Sequence, residues 1–336
     1  MGARKKRSTL SAVDLLSSCV ETAWKARRGC VVSMLSLDLA GAFDNVSHGR
    51  LLHILYRKGF PEWLISFVKG FLTDRRTKIR FTGYERDWIS TRTGIPQGSP
   101  LSPILFLFFI SELLEEFQHT QNDTLAFGFV DDTNLIAWSG SAAENCLRLT
   151  EAHGRCVAWA KRHGASFAPE KYQLMHFTRR RHHDSADLAS TVQIAGHEAT
   201  LQKTSMRVLG VWVDPKLRWT QHIQKAAQKG KAAFEAASRI IASTWGPMVR
   251  RSRLLYTAVV RPTMMYGTST WGMHHNGKPQ TKSLLKPIQQ VQNQYLRKIA
   301  GAYKWTPIAA LERECAIPPA ALYIEKMALQ RAVKTA

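Results

Sequence analysis

The sequence predicts an α+β fold, with strands and helices alternating in the first two-thirds of the chain and helices dominating the last third. Residues 31–39 and 124–138 carry β-branched and apolar runs of strand length. Residues 9–28 and 141–163 have apolar side chains at helical spacing instead. Beyond Pro215, apolar and basic positions alternate with helical periodicity. A chain of 336 residues that is 45% hydrophobic is long enough for one large domain or two modest ones.

Further elements follow from local signals. Ser99 and Pro100 are residue types that favour a helix start. Residues 178–190 are polar and without periodicity, which predicts a flexible loop. The remaining predicted elements are helices at 47–58 and from about 100 to 117, a hairpin over 77–93 through Gly83, and strands at 171–177, 192–201 and 208–214.

The charge is strongly unbalanced and points to a polyanionic partner. There are 47 Lys and Arg residues against 25 Asp and Glu residues, which gives a net charge of +22. Between Pro215 and Leu311 one acid, Glu235, stands against sixteen bases. Nucleic acid or an anionic membrane would satisfy such an excess. The longest apolar run, 104–110, is too short to span a bilayer.

Two adjacent acids, Asp131 and Asp132, lie between two apolar runs, which predicts a β-hairpin with both carboxylates at its tip. Neighbouring carboxylates repel each other unless positive charge lies between them. A divalent metal ion such as Mg²⁺ supplies that charge, because it prefers oxygen ligands. The alternative is a solvated Asp-Asp turn.

A third acid makes the metal hypothesis stronger. Asp38 ends the predicted strand 31–39, and a Gly-flanked turn at 94–98 precedes a helix. Two strands that each present a carboxylate can hold two metal ions about 3.5–4 Å apart. Positioning and charge neutralisation provide most of the catalysis in phosphoryl transfer, so this constellation predicts an enzyme of that type.

These segments together resemble the reverse transcriptase of non-LTR (LINE-like) retrotransposons. The first acidic motif of that family reads roughly L-D-x-x-x-A-F-D and is found at 37–44. The motif G-[IV]-P-Q-G-S-P-L-S-P-x-L-F is matched without departure at 94–106, and [FY]-x-D-D at 129–132. A Lys motif follows at 168–171 and L-G-V-x-[LIV]-D at 209–214. Five motifs in order and at family spacing make the resemblance specific.

The resemblance implies a right-hand polymerase palm, an antiparallel sheet packed on helices, with partial fingers and a helical thumb. It divides the chain into a residual fingers segment at 1–30, a palm with a primer-grip-like hairpin at 31–214, and a basic thumb-like region at 215–336. The implied activity is RNA-directed DNA polymerisation, a nucleotidyl transfer. It uses two Mg²⁺ ions (or Mn²⁺), an RNA template, a DNA primer in an RNA–DNA hybrid, and deoxynucleoside triphosphates, with no membrane partner.

The resemblance also assigns roles to single residues. Asp38 and Asp131 would be the main metal ligands, with Asp132 assisting and the Leu39 carbonyl completing a site. Lys171 would donate a proton to pyrophosphate, unless it is merely a solvated lysine. The nucleotide pocket would be formed by Leu39, Phe43, Gln97 and Gly98. The primer grip would be formed by Leu209, Gly210, Val211 and Trp212.

Some residues of these motifs have a structural interpretation. Phe43 would exclude a 2′-hydroxyl beneath the incoming sugar, or it would be an ordinary core aromatic. Asp44, which ends the same motif, would simply cap the next helix. Pro96 and Pro100 are expected to stiffen their turn rather than touch substrate.

The match departs from the family at its start. Residues 2–9 resemble a motif that normally lies well inside the polymerase domain, with Ala3 in place of Phe. The basic upstream fingers strands would then be missing, and we expect a remnant of a longer element with an incomplete nucleotide-binding surface. A catalytically inactive nucleic-acid-binding remnant and a group II intron-type protein stay open as alternatives.

The compartment is suggested only indirectly. The five cysteines are odd in number and include no C-x-x-C pair, which indicates reduced thiols of an intracellular protein. Action in the nucleus is what the family resemblance implies, and the basic residues at 4–7 are compatible with nuclear import.

Overall fold

The computed structural model describes residues 7–117, 124–179, 186–194, 196–241, 247–274 and 277–335. Residues 180–185 of the predicted loop at 178–190, and residues 4–6 of the basic N-terminal segment, lie outside these residues. Contacts group the chain into two compact units, residues up to 12 with 22–203, and 13–21 with 204–336. In the described part of the chain, every helix is too short or too polar to cross a bilayer.

The first unit has a mixed arrangement of helices and strands, as an α+β fold requires. Its helices are α1 (Thr9–Ala26, the middle of which groups with the second unit), α2 (His48–Arg57), α3 (Glu62–Leu72), α4 (Ser102–Glu115) and α5 (Ala142–His163). Its strands are β1 (Val31–Leu37), β2 (Arg76–Thr77), β3 (Arg80–Phe81), β4 (Tyr84–Glu85), β5 (Ile89–Ser90), β6 (Thr124–Phe129), β7 (Asp132–Ser139), β8 (Gln173–Phe177), β9 (Gln193–Ile194), β10 (His197–Glu198) and β11 (Thr200–Leu201).

The first unit contains a five-stranded sheet with the strand order β11-β8-β1-β7-β6. The strand β1 lies at its centre and pairs antiparallel with both β7 and β8. Only the edge strand β11 runs parallel to its neighbour. Helices α4 and α5 supply Phe106, Phe109 and Trp159 to the core that covers Leu35 of β1. Burial of such large apolar side chains is the main stabilising term of a sheet packed on helices.

The predicted elements of this unit are largely confirmed. The hairpin through Gly83 forms, although its paired segments are short and exposed. The helix predicted to start at Ser99 and Pro100 begins later, at Ser102. The Ser99 hydroxyl accepts a hydrogen bond from Leu101 N at 3.3 Å, so it stabilises the turn before the helix.

A buried polar network joins α5 to the centre of the sheet. Asn145 donates to the Val31 carbonyl and to Ser33 Oγ, each at 2.9 Å. His176 Nε2 donates to the Ser190 carbonyl at 2.9 Å, so its Nδ1 accepts from the Ser33 hydroxyl at 2.7 Å. Buried polar groups are stable only when they are paired, so this network favours one position of α5 against β1.

The second unit is a small hairpin followed by helices. Its core includes Tyr256, Tyr295, Leu296 and Ile299, which are buried between the helices. A π-helical turn, Tyr256–Val260, precedes α8, whose first turn contains a proline. The elements are β12 (Met206–Val208), β13 (Val211–Val213), α6 (Thr220–Ser238), α7 (Val249–Leu255), α8 (Arg261–Met264), α9 (Thr268–Trp271), α10 (Lys282–Ala300), α11 (Ile308–Glu314) and α12 (Ala320–Thr335).

The observed division differs from the predicted boundary between 214 and 215. The hairpin β12–β13 groups with the helices that follow it, because its backbone bonds to them. Trp212 N donates to His222 Nδ1 at 3.2 Å, and the Tyr266 hydroxyl donates to the Leu209 carbonyl at 3.1 Å. The assignment of fingers, palm and thumb to these segments stays a prediction.

Buried histidines make the stability of the protein depend on pH. Burial lowers the pKa of His153 to about 4, and its Nε2 bonds to the buried Tyr172 hydroxyl at 2.9 Å. In the unfolded state His153 is protonated near the ordinary histidine pKa of about 6.5, whereas in the folded state it stays neutral at that pH. The stabilising contribution is complete above that pH and is lost as the pH falls toward 4.

We predict that the free energy of unfolding falls between pH 7 and pH 5.5, with His153 contributing about 1 kcal/mol of the loss. Urea unfolding at both pH values measures it, with His153→Gln compared with the wild type. The variant should lose about 1 kcal/mol less than the wild type over this interval. His53→Gln is the matched control, because His53 is exposed on α2. Equal pH dependence of wild type and His153→Gln would contradict the prediction.

Candidate active site

The register of the central sheet brings the three predicted acids to one end of it. Leu37 of β1 pairs with Thr133 of β7. Asp38, directly after Leu37, and Asp132, directly before Thr133, therefore lie at the same end of these two strands. Phe129 pairs with Asp132 across the β6–β7 hairpin, which leaves Val130 and Asp131 as its turn. The hairpin with acids at its tip is therefore confirmed.

The hairpin turn holds Val130 in an unusual backbone conformation. Its φ is +57°, a left-handed value that β-branched residues rarely adopt. A two-residue hairpin turn needs positive φ at its first central position, where glycine is usual. Backbone strain of this kind costs about 1–3 kcal/mol and often occurs at functional sites. Here the strained residue directly precedes Asp131.

The three carboxylates interact electrostatically. The pKa of Asp132 is raised above its ordinary value, first by desolvation and then by the negative charges of Asp131 and Asp38. Asp131 and Asp132 as whole residues are exposed, so a cation from solvent could reach them. The arrangement concentrates negative charge at a point where it is not fully neutralised.

One protein cation already lies at this cluster. Lys171 Nζ donates to Asp38 Oδ2 at 3.0 Å, and this bond raises the pKa of the lysine. The surrounding backbone is held as well, since Ala168 N donates to the Asp38 carbonyl at 2.9 Å. Leu39 forms a β-bridge with Phe167 and is buried. Lys171 is therefore placed beside an acid, and its proton-donor role stays a prediction.

The donor set suits a hard divalent cation, because carboxylate oxygens are its preferred ligands. The negative charges of Asp131 and Asp38 also contribute to the raised pKa of Asp132, so added positive charge would be favourable here. In the part of the chain that the structure describes, however, no three His, Cys, Asp or Glu side chains are already arranged as ligands of one ion. Asp38 would have to release Lys171 before it offered both carboxylate oxygens to a metal.

The Gly-flanked turn is bound to the first acidic motif. Gly94 N donates to the Val46 carbonyl at 2.9 Å, and Ile95 N donates to the Phe43 carbonyl at 2.8 Å. Gly94 has a φ of +81°, and a Cβ there would lie 2.5 Å from the Asp44 carbonyl oxygen. Only glycine permits this close approach. The turn and the first acidic motif therefore form one structure.

Two residues that the sequence reasoning missed hold this turn. Arg75 Nη1 donates to the Gly94 carbonyl at 2.6 Å, and His48 Nε2 lies 2.7 Å from the same oxygen. Neither residue belongs to a motif, and both are distant from Gly94 in sequence. No signal in the sequence alone could have identified them.

The predicted nucleotide-pocket residues have defined surroundings. Phe43 stacks on Phe106, with ring centroids 5.0 Å apart, and it is half-buried against the core. Gln97 Nε2 donates to both carboxylate oxygens of Asp44, at 3.0 and 3.2 Å. Gly98 is exposed with a φ of +89°. The core contact of Phe43 is thus observed, and its role toward a sugar stays a prediction.

The helix-cap hypothesis for Asp44 is wrong. The helix α2 is capped by Ser47, whose side chain accepts from Arg50 N at 3.4 Å. Asp44 lies three residues before that cap and pairs with Gln97 instead.

The four predicted primer-grip residues belong to the second unit. Leu209 and Gly210 form the turn of the β12–β13 hairpin, and Val211 and Trp212 begin β13. Leu209 has a φ of +48° and Gly210 a φ of +88°. Asp214 then ends the hairpin by accepting hydrogen bonds from three backbone amides, those of Lys216, Arg218 and Trp219.

Comparison with known proteins agrees with this geometry. The family described as "Reverse transcriptase (RNA-dependent DNA polymerase)" matches residues 1–213. The chain is 27% identical over 285 residues to the RNA-directed DNA polymerase from mobile element jockey of Drosophila melanogaster, covering 84% of this chain and 30% of that protein. It is 25% identical over 316 residues to the probable RNA-directed DNA polymerase from transposon BS of the same organism, covering 93% and 33%.

The chain thus spans about a third of the length of these relatives. Among solved structures, apo telomerase from Candida tropicalis aligns with 97% of this chain and 55% of that chain. Its identity of 12% and TM-score of 0.47 make this likeness too distant to add to the argument. The matched mobile-element polymerases favour the non-LTR interpretation over the group II intron alternative.

A family match over residues 1–213, together with the five motifs and the acids gathered at the end of β1 and β7, identifies the chain as a member of the reverse transcriptase family.

Proposed function

We propose that this chain carries the catalytic unit of an RNA-directed DNA polymerase of a non-LTR retrotransposon. The observation that carries the proposal is the meeting of Asp38, Asp131 and Asp132 at one end of the β1–β7 pair. The jockey relative bears the name of this activity. The substrates would be deoxynucleoside triphosphates, an RNA template and a primer 3′-hydroxyl.

Members of this family generally use divalent metal ions. Asp38, Asp131 and Asp132 would hold two of them, with the Leu39 carbonyl as a further ligand. When bound, such ions activate the attacking hydroxyl and neutralise charge on the phosphates. The residues of this chain contribute position, because the β1–β7 register and the Val130 turn hold the carboxylates together.

The other site residues would bind and orient the substrate. Gln97 and Gly98 would border the nucleotide, with Gln97 oriented by its bonds to Asp44. Phe43, supported by Phe106, would present a ring edge to the sugar. Lys171 would move from Asp38 to the departing pyrophosphate and carry a proton to it. These roles extend the family resemblance, and the contacts of Gln97, Phe43 and Lys171 support them.

One observation favours a second candidate, nucleic-acid binding without catalysis. Lys171 neutralises Asp38 directly, and no ready metal cluster exists among the described residues. The basic stretch after Pro215 would suffice to bind a nucleic acid backbone without sequence preference. The following two experiments separate the candidates.

We predict Mg²⁺-dependent extension of a DNA primer on an RNA template by the full chain. The double variant Asp131→Asn, Asp132→Asn should lose about a thousandfold or more in rate, on the scale of lost electrostatic stabilisation of a transition state. Asp87→Asn is the matched control, since Asp87 is exposed on the β3–β5 hairpin segment. Binding of the RNA–DNA hybrid is measured in parallel at two salt concentrations.

Extension by wild type and Asp87→Asn, but not by the double variant, supports the polymerase. If no chain extends the primer while salt-sensitive binding of the hybrid persists, the polymerase proposal fails and the binding protein is the correct alternative.

A second prediction concerns the metal itself and needs no turnover. Titration of free Mn²⁺ by electron paramagnetic resonance should show binding that Asp38→Asn removes and Lys171→Gln strengthens, because the ammonium group competes for Asp38. Binding should weaken as the pH falls, since the raised pKa of Asp132 lets protons compete with the metal earlier. Unchanged Mn²⁺ affinity in both variants would show that these carboxylates are not the metal site.

A further inference from the structure

A short turn in the second unit exposes two aromatic rings to solvent. It consists of residues 303–306, between α10 and α11, and we call it the aromatic turn. Its Tyr303 is 86% exposed and its Trp305 is 85% exposed. Among the described residues, no other large apolar residue is as exposed as these two. Tyr and Trp are common where proteins contact a partner, because they combine a large ring with few rotatable bonds.

The backbone of the aromatic turn is fixed by hydrogen bonds. Gly301 ends α10 with a φ of +60°, and its N–H donates to the Arg297 carbonyl. Thr306 N then donates to the Tyr303 carbonyl at 3.1 Å, which closes a β-turn. The Arg297 side chain holds the middle of this turn, since its Nε donates to the Lys304 carbonyl at 3.0 Å. The turn is therefore ordered before any partner binds.

The two rings lie outside the core of the second unit. Ala302 and Ile308, which flank the aromatic turn, pack against the core that includes Tyr295 and Leu296. The apolar neighbours of the turn thus contact the interior, whereas both rings remain in solvent. Because the rings bury little area within the protein, truncating them should not unfold it.

The surroundings of the aromatic turn are positively charged. Residues 282–311 contain five bases and no Asp or Glu. Two of these bases, Lys298 and Lys304, are exposed. Lys304 Nζ lies 5.4 Å from the centroid of the Trp305 ring, within the range of a cation–π contact. A partner that uses the whole turn must therefore be anionic and must also present flat surfaces to the rings.

An unpaired strand of nucleic acid has both properties. Its phosphates are anionic, and its bases stack on aromatic side chains whatever their sequence. In a duplex the bases stack on one another, so a duplex satisfies the lysines but not the rings. An apolar peptide satisfies the rings but not the lysines.

We propose that the aromatic turn binds an unpaired segment of a nucleic acid strand, with bases stacked on Tyr303 and Trp305 and a phosphate on Lys304. None of these residues belongs to the acidic cluster or to the β12–β13 hairpin. The segment held here lies outside a paired hybrid, since its bases are free to stack on protein. The site goes beyond the proposed polymerase function and does not require that the chain polymerise.

Fluorescence anisotropy tests the site with a labelled oligouridine of about eight nucleotides, a length typical of one single-strand site. The titrations contain no divalent metal and no nucleoside triphosphate, so a failure of the polymerase proposal does not affect them. Tyr303→Ala and Trp305→Ala should each weaken binding of the strand by about tenfold, the effect of one lost stacked base. A blunt RNA–DNA hybrid should lose less than about twofold, because its contacts are to phosphates.

Matched variants separate stacking from general attraction to a basic protein. Trp63→Ala is the control, because Trp63 is 71% exposed on α3 of the first unit. It should leave binding of the strand unchanged. Trp305→Phe keeps a ring and should restore most of the affinity that Trp305→Ala loses. Thermal unfolding of every variant verifies that the fold is retained.

The salt dependence of binding distinguishes the rings from the lysine. Lys304→Gln removes one phosphate contact and should reduce the slope of log K against log salt concentration by about 0.7. Trp305→Ala should lower the affinity at every salt concentration without changing the slope, because a stacked ring releases no counterion.

Three results would overturn the proposal: neither alanine variant weakens binding of the strand, the hybrid loses as much affinity as the strand, or Trp63→Ala has an equal effect. Vesicles of phosphatidylcholine and phosphatidylserine provide a membrane probe. If both alanine variants lose vesicle binding but keep strand binding, the turn contacts a membrane surface and the proposal is wrong.

Discussion

The antiparallel pairing of β1 with β7 determines where three negative charges meet. In this register Leu37 lies opposite Thr133. The acid Asp38 directly follows Leu37, and the acid Asp132 directly precedes Thr133. A shift of one residue would turn Asp38 to the other face and would also move Leu35 out of the core. The core contacts of α4 and α5 with this strand therefore select the register that gathers the charges. Core packing and site geometry depend on the same pairing.

Bringing the three carboxylates together costs electrostatic free energy, which the rest of the site must offset. After desolvation, the charges of Asp131 and Asp38 contribute to the raised pKa of Asp132, and Lys171 offsets part of this negative charge by bonding to Asp38. Lys171 is brought there by the short 3₁₀ turn Pro169–Lys171 before β8, the strand on the other side of β1. The two neighbours of β1 thus contribute opposite charges to its end: acids from the β7 side and a lysine from the β8 side. This arrangement makes the site responsive to any cation that can replace the ammonium group.

The motifs and the strands that bear them could be predicted from sequence, because their apolar runs have the period of their secondary structure. The helix α3 was not predicted. Its aromatic residues Trp63 and Phe67 are 71% and 58% exposed, so its apolar residues do not mark a single buried face. The bond between Gln97 and Asp44 joins residues 53 positions apart, and local patterns contain no information about such pairs. The same holds for Arg75 and His48, which reach the Gly94 carbonyl only after the chain has folded.

The second unit shows why a motif match alone does not describe a site. The motif at 209–214 was predicted as a hairpin that supports a primer, and the hairpin is present. Its surroundings, however, come from residues outside every motif: Tyr266 bonds to its turn, and His222 bonds to Trp212. Because burial keeps His222 uncharged, its two ring nitrogens can act as one donor and one acceptor and join the hairpin to the helices. A protonated histidine would have two donors and would break the bond to Trp212 N. The hydrogen-bonded connection between the hairpin and the helices therefore depends on the neutrality of one buried ring.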